Sequence, residues 1–433
     1  MKLCLKAVPR LHGEMTVPGD KSITHRALLL GAISQGASRI VGSLSGGDCQ
    51  ATVGCLQALG VALERPSPQE VIVRGQGLRA WREPQGVLNC VRSGTTMRLL
   101  AGLLAGQDFY SVLSGDAQLL RRPMARVAEP LRQMGAQIWG REGGSLPPLS
   151  VQGSPLRGVA HTLEVASAQV KSCLLLAGLY AQGETAVLEP GPSRDHTERM
   201  LRARGVAVET QGLCHALRGP VEALHPVETV VPGDFSSAAY FIVGAMLTPQ
   251  SRVLIRNVGV NPTRTGLLDA LTAMGAKVQM LDGHETGGEP VADLLVETQA
   301  LRATEVRGEW VPRMIDEFPI LALAATQAQG ITRVRGAAEL RVKESDRIAT
   351  IVSALRALGA RIEPTADGFD VEGPTPLQGA VVESYGDHRL AMTLAIASLI
   401  AAGQTTLQGA ECIADSFPGF QERLMTLSGG AVL

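Results

Sequence analysis

The apolar and polar positions of the chain form a short pattern that returns six times. It reads Leu-x-x-Leu/Met/Arg-Gly-Ala/Val-x-apolar, with a looser last copy, LMTLSGGAVL. In each copy an amphipathic helical turn is followed by a glycine, which is typical of a helix end, and then by the start of a β-strand. The copies begin at Leu56, Leu131, Leu201, Leu271, Leu355 and Leu424. Such strings are common in α/β proteins, but their near-even spacing of 69 to 84 residues favours a repeat.

Further short strands and a second helical run lie between the copies, for example at 96–104 and 236–247. Helices and strands therefore alternate along the whole chain. The pattern predicts an α/β fold built from six units of roughly 70 residues each, three in each of two lobes.

A longer repeat marks the two halves of the chain. VPGDKSITHRALLLG begins at Val17, and the partial copy VPGDFSSAAYF begins at Val231, 214 residues later and close to half of 433. In each copy Gly permits a sharp turn, and Asp or Ser can cap the helix that follows. We therefore predict one lobe at 20–231 and a second at 1–19 plus 232–433. The chain would cross between them near Pro18-Gly19 and Pro232-Gly233.

Composition and charge narrow the class of protein. With 45% apolar residues, 3% aromatic residues and a net charge of −1, the chain should fold and lacks the basic, aromatic surface of a nucleic-acid-binding protein. No signal peptide is evident, and the longest apolar stretch, 390–402, is too short and polar to span a bilayer. Seven cysteines without a C-x-x-C motif are typical of free thiols in a reducing compartment. We expect a cytoplasmic protein with no membrane or nucleic acid partner.

The first Pro-Gly-Asp motif carries Lys21, His25 and Arg26, where its copy has no basic residue, and it places Ser22 beside Lys21. On a helix that begins near Ser22, the side chains of Ser22 and Arg26 lie on one face, over the free N–H groups of the helix start. Such a helix start is a ready site for an anion. A well-capped surface helix with solvated cations is the ordinary alternative.

Several other segments place polar groups at probable helix starts or loops, and each also has an ordinary structural explanation as a cap, a solvated pair or a surface ion pair. In the first half they are VRSGTTMRLLAG (91–102), GDAQLLRRPMARV (115–127), SAQVKS (167–172) and PSRDHTERML (192–201). In the second half they are Asp316-Glu317, KESDRI (343–348), DHRLAM (387–392) and SFPGF (416–420). The carboxylates at 316–317 precede an apolar run, which suggests a half-buried acid or base.

Taken together, these segments supply seven candidate anion-binding cations and no evident metal or nucleotide motif. The cations are Lys21, Arg26, Arg122, Arg194, Lys343, Arg347 and Arg389. The scattered histidines show no metal-ligand spacing, and neither G-x-x-x-x-G-K-[ST] nor G-x-G-x-x-G after a strand occurs. Because Arg binds carboxylate and phosphate in a bidentate way, substrates with several such groups fit best.

The motifs as a set closely resemble the 5-enolpyruvylshikimate-3-phosphate synthase family. The matching segments occur in family order from Pro18 to Phe420 and are PGDKSITHR, SGTTMR, RRPM, SAQVKS, PSRDHTERML, PGDFSSAA, DEFPI, KESDRI, DHRLAM and SFPGF. The resemblance implies a two-lobed inside-out α/β barrel of six βαβαββ repeats, three per lobe. It also implies a transferase of chorismate and aromatic amino acid biosynthesis, a glyphosate target that needs no cofactor and acts as a monomer.

The implied reaction moves the enolpyruvyl group of phosphoenolpyruvate to the 5-hydroxyl of shikimate 3-phosphate and releases phosphate. By the resemblance, shikimate 3-phosphate is bound by Lys21, Ser22, Arg26, Ser167, Ala168, Gln169, Arg194, Asp316 and Lys343. Phosphoenolpyruvate is bound by Lys21, Gly94, Arg122, Gln169, Arg347 and Arg389. We assign the proton transfer at carbon to Glu344, assistance at the hydroxyl to Asp316, and stabilisation of the leaving phosphate to Lys21. Both lobes contribute, so closure on substrate is expected to assemble the site.

Three positions depart from the family pattern. Arg92 stands where Asn is common, Asp415 where some members have Lys, and Ala168 where some have a second Ser. The phosphate contact of that Lys is therefore not carried over to Asp415.

Three other functions compete. A same-fold enolpyruvyl transferase acting on UDP-N-acetylglucosamine uses a loop cysteine, and the comparable loop here, 115–124, contains none. A non-catalytic two-lobed anion-binding protein would need the cations but neither Glu344 nor Asp316. A phosphotransferase is disfavoured because the phosphate-binding loop is missing.

Gly94 leads to a first prediction, because in this family a glycine there accompanies sensitivity to glyphosate. We expect glyphosate to inhibit the enzyme. The measurement is an inhibition curve at fixed substrate, and a curve that stays flat at millimolar glyphosate would contradict the prediction.

Overall fold

The structure is a computed structural model that describes residues 1–431 and shows a mixed α/β fold. The last two positions of the predicted sixth repeat copy and of the predicted second lobe, 432 and 433, lie outside the described residues. The chain forms two compact units. Unit A contains residues 19–231 and 286–289, and unit B contains residues 1–18, 232–285 and 290–431.

The helices of the described chain are short, and most begin at a polar cap. The α-helices are α1 (Lys21–Ile33), α2 (Gly47–Ala58), α3 (Gly94–Ala105), α4 (Ala125–Gln133), α5 (Ala168–Gly178), α6 (His196–Arg202), α7 (Phe235–Leu247), α8 (Gly266–Ala273), α9 (Trp310–Arg313), α10 (Phe318–Thr326), α11 (Arg347–Ala357), α12 (His388–Ala397) and α13 (Phe420–Leu427). The 3₁₀ helices are Leu119–Arg121, Glu142–Gly144, Ala338–Val342 and Ala410–Asp415.

The strands of the described chain are mostly five to eight residues long. They are β1 (Lys2–Lys6), β2 (His12–Thr16), β3 (Gln35–Val41), β4 (Ala62–Ser67), β5 (Glu70–Gln76), β6 (Leu88–Asn89), β7 (Tyr110–Ser114), β8 (Gln137–Arg141), β9 (Leu146–Gln152), β10 (Ala160–Thr162), β11 (Gly183–Leu188), β12 (Val208–Gln211), β13 (Cys214–Gly219), β14 (Thr229–Val230), β15 (Arg252–Gly259), β16 (Gln279–Thr286), β17 (Glu289–Glu297), β18 (Leu301–Arg302), β19 (Glu305–Val306), β20 (Ala328–Val334), β21 (Arg361–Thr365), β22 (Gly368–Gly373), β23 (Val381–Glu383) and β24 (Gln404–Gln408).

Within residues 1–431 the strands form six sheets that share one pattern of pairing. In unit A the strand orders are β14-β3-β5-β4, β6-β7-β9-β8 and β10-β11-β13-β12. In unit B they are β2-β15-β17-β16, β18-β20-β22-β21 with β19 also on β20, and β23-β24-β1. In each order the first pair is parallel and the second pair is antiparallel.

The core of each unit is built on three almost completely buried helices. These are α1, α3 and α5 in unit A, and α7, α10 and α12 in unit B. They consist largely of leucine, alanine and other small or apolar residues, as FPILALAAT of α10 illustrates. Burying one leucine side chain contributes roughly 1.5–3 kcal/mol, so these helices supply much of the driving force for folding.

The first five copies of the repeated pattern have the predicted local structure. Helices α2, α4, α6, α8 and α11 each end shortly before a glycine with a positive φ, and β4, β8, β12, β16 and β21 follow. These glycines are Gly60, Gly135, Gly205, Gly275 and Gly359, with φ between 84° and 101°. Because only glycine adopts this backbone conformation at little cost, it ends each helix and redirects the chain into a strand.

The two units are divided at the two Pro-Gly turns, between Pro18 and Gly19 and between Val231 and Pro232. A side chain on Gly19 would place Cβ 1.8 Å from the carbonyl oxygen of Gly42, so only glycine fits there. The turn between β16 and β17, residues 286–289, belongs to unit A, a division that the sequence did not predict. No helix of residues 1–431 is long and apolar enough to cross a membrane.

The contact between α3 and α5 yields a stability prediction. A Cβ on Gly102 would lie 2.2 Å from the backbone carbonyl oxygen of Cys173, so Gly102→Ala must push the two helices apart. We expect the free energy of unfolding to fall by roughly 1–3 kcal/mol, as measured by urea denaturation. Gly54→Ala in α2 is the matched control, because nothing lies within 4 Å of its Cβ. It should be neutral or stabilising, and equal losses in both variants would contradict the prediction.

Candidate active site

In unit A the start of α1 carries the predicted anion-binding groups. Asp20 caps the helix, its Oδ1 accepting a hydrogen bond from the backbone N–H of Ile23 at 2.9 Å, as the sequence predicted. The Lys21 Nζ lies 2.9 Å from the Asp48 Oδ2, and both side chains are 14% exposed. Asp48 keeps Lys21 extended at the helix start, where the helix dipole also favours an anion.

Arg26 lies one turn further along α1 and is buried. Its Nε donates to the Thr197 hydroxyl at 2.7 Å, Nη1 to the carbonyl of Ser22 at 2.9 Å, and Nη2 to the Ser172 hydroxyl at 2.6 Å. Burial lowers the pKa of Arg26 to about 10, so the guanidinium remains charged at neutral pH.

Arg194 completes this group. It lies in the loop before α6, and its Nη1 donates to the Ser22 hydroxyl at 3.1 Å. The structure therefore brings Ser22, Arg26 and Arg194 together, although they are up to 172 residues apart in sequence. Two guanidinium groups and a hydroxyl in one place can bind a phosphate or a carboxylate.

A second group of unit A forms at the start of α3. A Cβ on Gly94 would lie 2.8 Å from the Arg122 Nη1 and 3.0 Å from the Arg98 Nη1, so glycine leaves room beside two guanidinium groups. Arg98 Nη1 donates to the Gln169 Oε1 at 2.5 Å, and Gln169 Nε2 donates to the Thr95 hydroxyl at 2.9 Å. The structure therefore brings the predicted residues Gly94, Arg122 and Gln169 together around Arg98.

Ser167 and Ala168 lie at the start of α5, next to Gln169. Ser167 is the N-cap, and its hydroxyl accepts from the N–H of Val170 at 3.5 Å. Arg92, the first departure from the family pattern, pairs with Asp116 at 2.9 Å and is 43% exposed. Its guanidinium is thus held by the loop at 115–127 rather than left in open solvent.

In unit B the buried guanidinium of Arg347 contacts several of the predicted site residues. Arg347 is 1% exposed, and its Nε lies 2.8 Å from Asp387, its Nη1 3.2 Å from Asp316 and its Nη2 2.6 Å from Glu344. Burial opposes the charge, but the three carboxylates raise the pKa of Arg347 above its ordinary value. The sequence did not identify Asp387 as a site residue, although it stands in DHRLAM.

Arg389 lies beside this cluster at the start of α12. Its Nε is 3.2 Å from the Asp316 Oδ1, so Asp316 contacts both arginines. Burial lowers the pKa of Arg389, but Asp316 and further acidic neighbours raise it overall. Glu317, the other acid of the pair, is buried and instead accepts a hydrogen bond from Ser236.

The KESDRI segment lies only partly on a helix. Helix α11 begins only at Arg347, capped by Asp346, so residues 343–345 precede it. Glu344 still reaches Arg347 because the chain turns there, whereas Lys343 pairs with Glu339 at 3.2 Å. Asp415, the second departure, ends the 3₁₀ helix before SFPGF and is partly exposed.

Sequence reasoning did not assign several partners of these groups, notably Asp48, Ser172, Thr197 and Asp387. The last three had a signal, since they lie in the segments SAQVKS, PSRDHTERML and DHRLAM, whereas Asp48 had none. Among residues 1–431 no group of three or more His, Cys, Asp or Glu is arranged to hold a metal ion.

Comparison with known proteins decides the family. The sequence profile described as EPSP synthase (3-phosphoshikimate 1-carboxyvinyltransferase) matches residues 5–424. The chain belongs to the EPSP synthase family.

Relatives in this family match along nearly the whole chain. The 3-phosphoshikimate 1-carboxyvinyltransferase of Geobacter metallireducens is 53% identical over 410 residues, covering 95% of both chains. That of Bacillus subtilis is 49% identical and covers 97% of this chain and 98% of its own. The EPSP synthase structure from Acinetobacter baumannii has 44% identity and a TM-score of 0.86, covering 98% of each chain.

Asp387 gives a pH-dependent prediction for unit B. Burial alone would raise the pKa of this carboxyl, but Arg347 lowers it below the usual 3.8. A group with a lowered folded-state pKa contributes stability above its unfolded pKa and loses it as the pH falls through the folded value. Asp387→Asn should therefore reduce the free energy of unfolding at neutral pH by roughly 3 kcal/mol. The deficit should shrink as the pH falls below about 4.

Urea denaturation at a series of pH values measures this difference. The control is Asp370→Asn, which breaks a half-exposed pair with Arg335 on unit B and should cost less than about 1 kcal/mol. A deficit for Asp387→Asn that is the same at every pH would show that the carboxylate charge is not the cause.

Proposed function

We propose that this chain transfers the enolpyruvyl group of phosphoenolpyruvate to the 5-hydroxyl of shikimate 3-phosphate, releasing phosphate. The observation that carries the proposal is the match of residues 5–424 to the EPSP synthase family, together with cationic groups in both units at the family's motifs. We infer that the six sheets belong to six βαβαββ repeats, three per lobe, in an inside-out α/β barrel whose lobes are units A and B.

Unit A is proposed to bind the phosphate and hydroxyl groups of shikimate 3-phosphate. Ser22, Arg26 and Arg194 supply the donors, and Lys21 approaches both substrates. Arg26 makes three hydrogen bonds to protein atoms, and a guanidinium has five N–H donors. Two donors therefore remain for an anion. Ser167, Ala168 and Gln169 at the start of α5, with Asp316 and Lys343 of unit B, complete the proposed ligand set.

Phosphoenolpyruvate is proposed to bind the remaining cations. The space beside Gly94 presents Arg122 and Gln169, and unit B presents Arg347 and Arg389. In the structure Arg347 already holds Glu344 at 2.6 Å. A substrate carboxylate that binds Arg347 competes with Glu344 for the same N–H donors. Binding of substrate would therefore release the carboxylate that the chemistry requires.

The proposed mechanism uses this released carboxylate. Once released from Arg347, the Glu344 carboxylate takes up a proton and delivers it to the methylene carbon of phosphoenolpyruvate. The 5-hydroxyl attacks the adjacent carbon and gives its own proton to Asp316, from which it passes to the departing phosphate. The tetrahedral adduct then loses a proton from its new methyl group to Glu344 while the C–O bond to phosphate breaks. Lys21 and the arginines stabilise the departing phosphate. The predictions that the chain acts as a monomer in the cytoplasm stay predictions.

Phosphate release from phosphoenolpyruvate, with and without shikimate 3-phosphate, tests the proposal. Release should require both substrates, and release supported by UDP-N-acetylglucosamine instead would favour the other enolpyruvyl transfer. Release with neither acceptor would contradict both.

Glu344 provides the sharpest variant. Glu344→Gln keeps the shape of the side chain but removes the group that carries the proton, so kcat should fall by a factor of about 10² or more. Binding of shikimate 3-phosphate, measured by calorimetry, should change little. Glu363→Gln is the control, since Glu363 pairs with Arg356 on the surface of unit B. If kcat is unchanged in Glu344→Gln, Glu344 is not the proton carrier.

A further inference from the structure

A buried charged cluster in unit A lies outside the proposed ligand set. The Lys171 side chain in α5 is 0% exposed, and its Nζ lies 2.6 Å from the Glu189 Oε2 and 2.7 Å from the Glu198 Oε1. Glu189 follows β11 directly, and Glu198 belongs to α6. An ammonium group is costly to bury, and the two carboxylates at this distance stabilise its charge.

Two further residues close the cluster. On β13, His215 places its Nε2 3.5 Å from Glu189 and its Nδ1 3.4 Å from Glu198. The hydroxyl of Ser193 donates a hydrogen bond to the Glu189 Oε1. The cluster therefore ties together α5, α6, the sheet that contains β11 and β13, and the loop before α6.

The residues next in sequence hold the proposed substrate ligands. Ser172 and Thr197 share a hydrogen bond of 2.6 Å, and both accept hydrogen bonds from Arg26. Helices α5 and α6 are thus joined by two adjacent contacts. One is the ion pair of Lys171 with Glu198, and the other is the hydroxyl pair that fixes Arg26.

The loop before α6 is held in the same way. Ser193, bonded to Glu189, directly precedes Arg194, whose guanidinium donates to the Ser22 hydroxyl. Lys171 therefore contacts neither arginine directly. It is linked to Arg26 by way of Glu198 and the neighbouring Thr197, and to Arg194 by way of Glu189 and Ser193.

We propose that Lys171 is a positioning residue for shikimate 3-phosphate, holding α6 and the Ser193-Arg194 loop against α5 so that Arg26 and Arg194 face the same anion. The inference rests on the proposed function. Lys171 itself does not touch substrate, because it has no exposed surface. Without its charge Glu189 and Glu198 repel each other, and displacing a binding group by about 1 Å can reduce rates by a factor of about 10².

The proposal predicts a selective defect rather than a general one. Lys171→Met keeps the length of the side chain and removes the charge. We expect binding of shikimate 3-phosphate to weaken about tenfold or more, measured by calorimetry without phosphoenolpyruvate. The Michaelis constant for phosphoenolpyruvate should change much less, because Arg122, Arg347 and Arg389 make no contact with the cluster. Gln169 lies on α5 but is held by Arg98 and Thr95 of α3.

A core variant controls for loss of stability. Val151, in β9 of another sheet of unit A, is fully buried, and Val151→Ala should lower the melting temperature without weakening shikimate 3-phosphate binding. If Val151→Ala weakens that binding as much as Lys171→Met at an equal loss of melting temperature, the role of Lys171 is merely structural and the proposal fails.

A double variant tests the electrostatic cause. Glu198→Gln removes one of the two repelling carboxylates, so Lys171→Met with Glu198→Gln should bind shikimate 3-phosphate more tightly than Lys171→Met alone. If the losses of affinity caused by the two single substitutions simply add in the double variant, the proposal is overturned. If Lys171→Met does not fold, the single variant Glu198→Gln provides the test. It should weaken shikimate 3-phosphate binding several-fold and leave the Michaelis constant for phosphoenolpyruvate unchanged.

The wild-type assay separates this inference from the proposed function. A wild-type protein that releases no phosphate with both substrates overturns the proposed function. If the wild-type protein does release phosphate with both substrates, and a folded Lys171→Met variant has unaltered affinity for shikimate 3-phosphate, only the role of Lys171 is overturned.

Discussion

A charged side chain is costly to bury unless an opposite charge or hydrogen-bond partners lie beside it, and this constraint shapes both units. Largely buried helices carry Arg26 and Lys171 in unit A, and Arg389 in unit B. Each lies within the first two turns of its helix. Most of their partners come from other helices and loops, so the charges help to fix how those elements pack.

The two units meet this constraint differently. In unit A, Arg26 makes its hydrogen bonds to neutral hydroxyl and carbonyl oxygens. In unit B, Arg347 is surrounded by carboxylates. Neutral partners prepare a guanidinium for an anionic ligand. Anionic partners must instead be exchanged when such a ligand arrives, and this exchange links binding to chemistry in the proposed mechanism.

Much of the local structure could be predicted from the sequence. The helix starts at Asp20 and Asp234 are capped as expected, and glycines with positive φ end the helices of the first five repeat copies. Helix α11 begins only at Arg347, so residues 343–346 precede it. Their i, i+3 and i, i+4 spacing of charges suits a helix and a tight turn before one equally well. Spacing alone does not distinguish them.

By itself the sequence determined the alternation of helices and strands, the residue types at each helix start and the family. These depend on neighbours within a few positions or on motifs in a fixed order. Only the tertiary structure decided that Lys21 pairs with Asp48, that Arg194 reaches Ser22, and that residues 286–289 join unit A. The physical reason is that such contacts form where apolar helix faces pack, and packing joins residues whose separation along the chain leaves no local pattern to read.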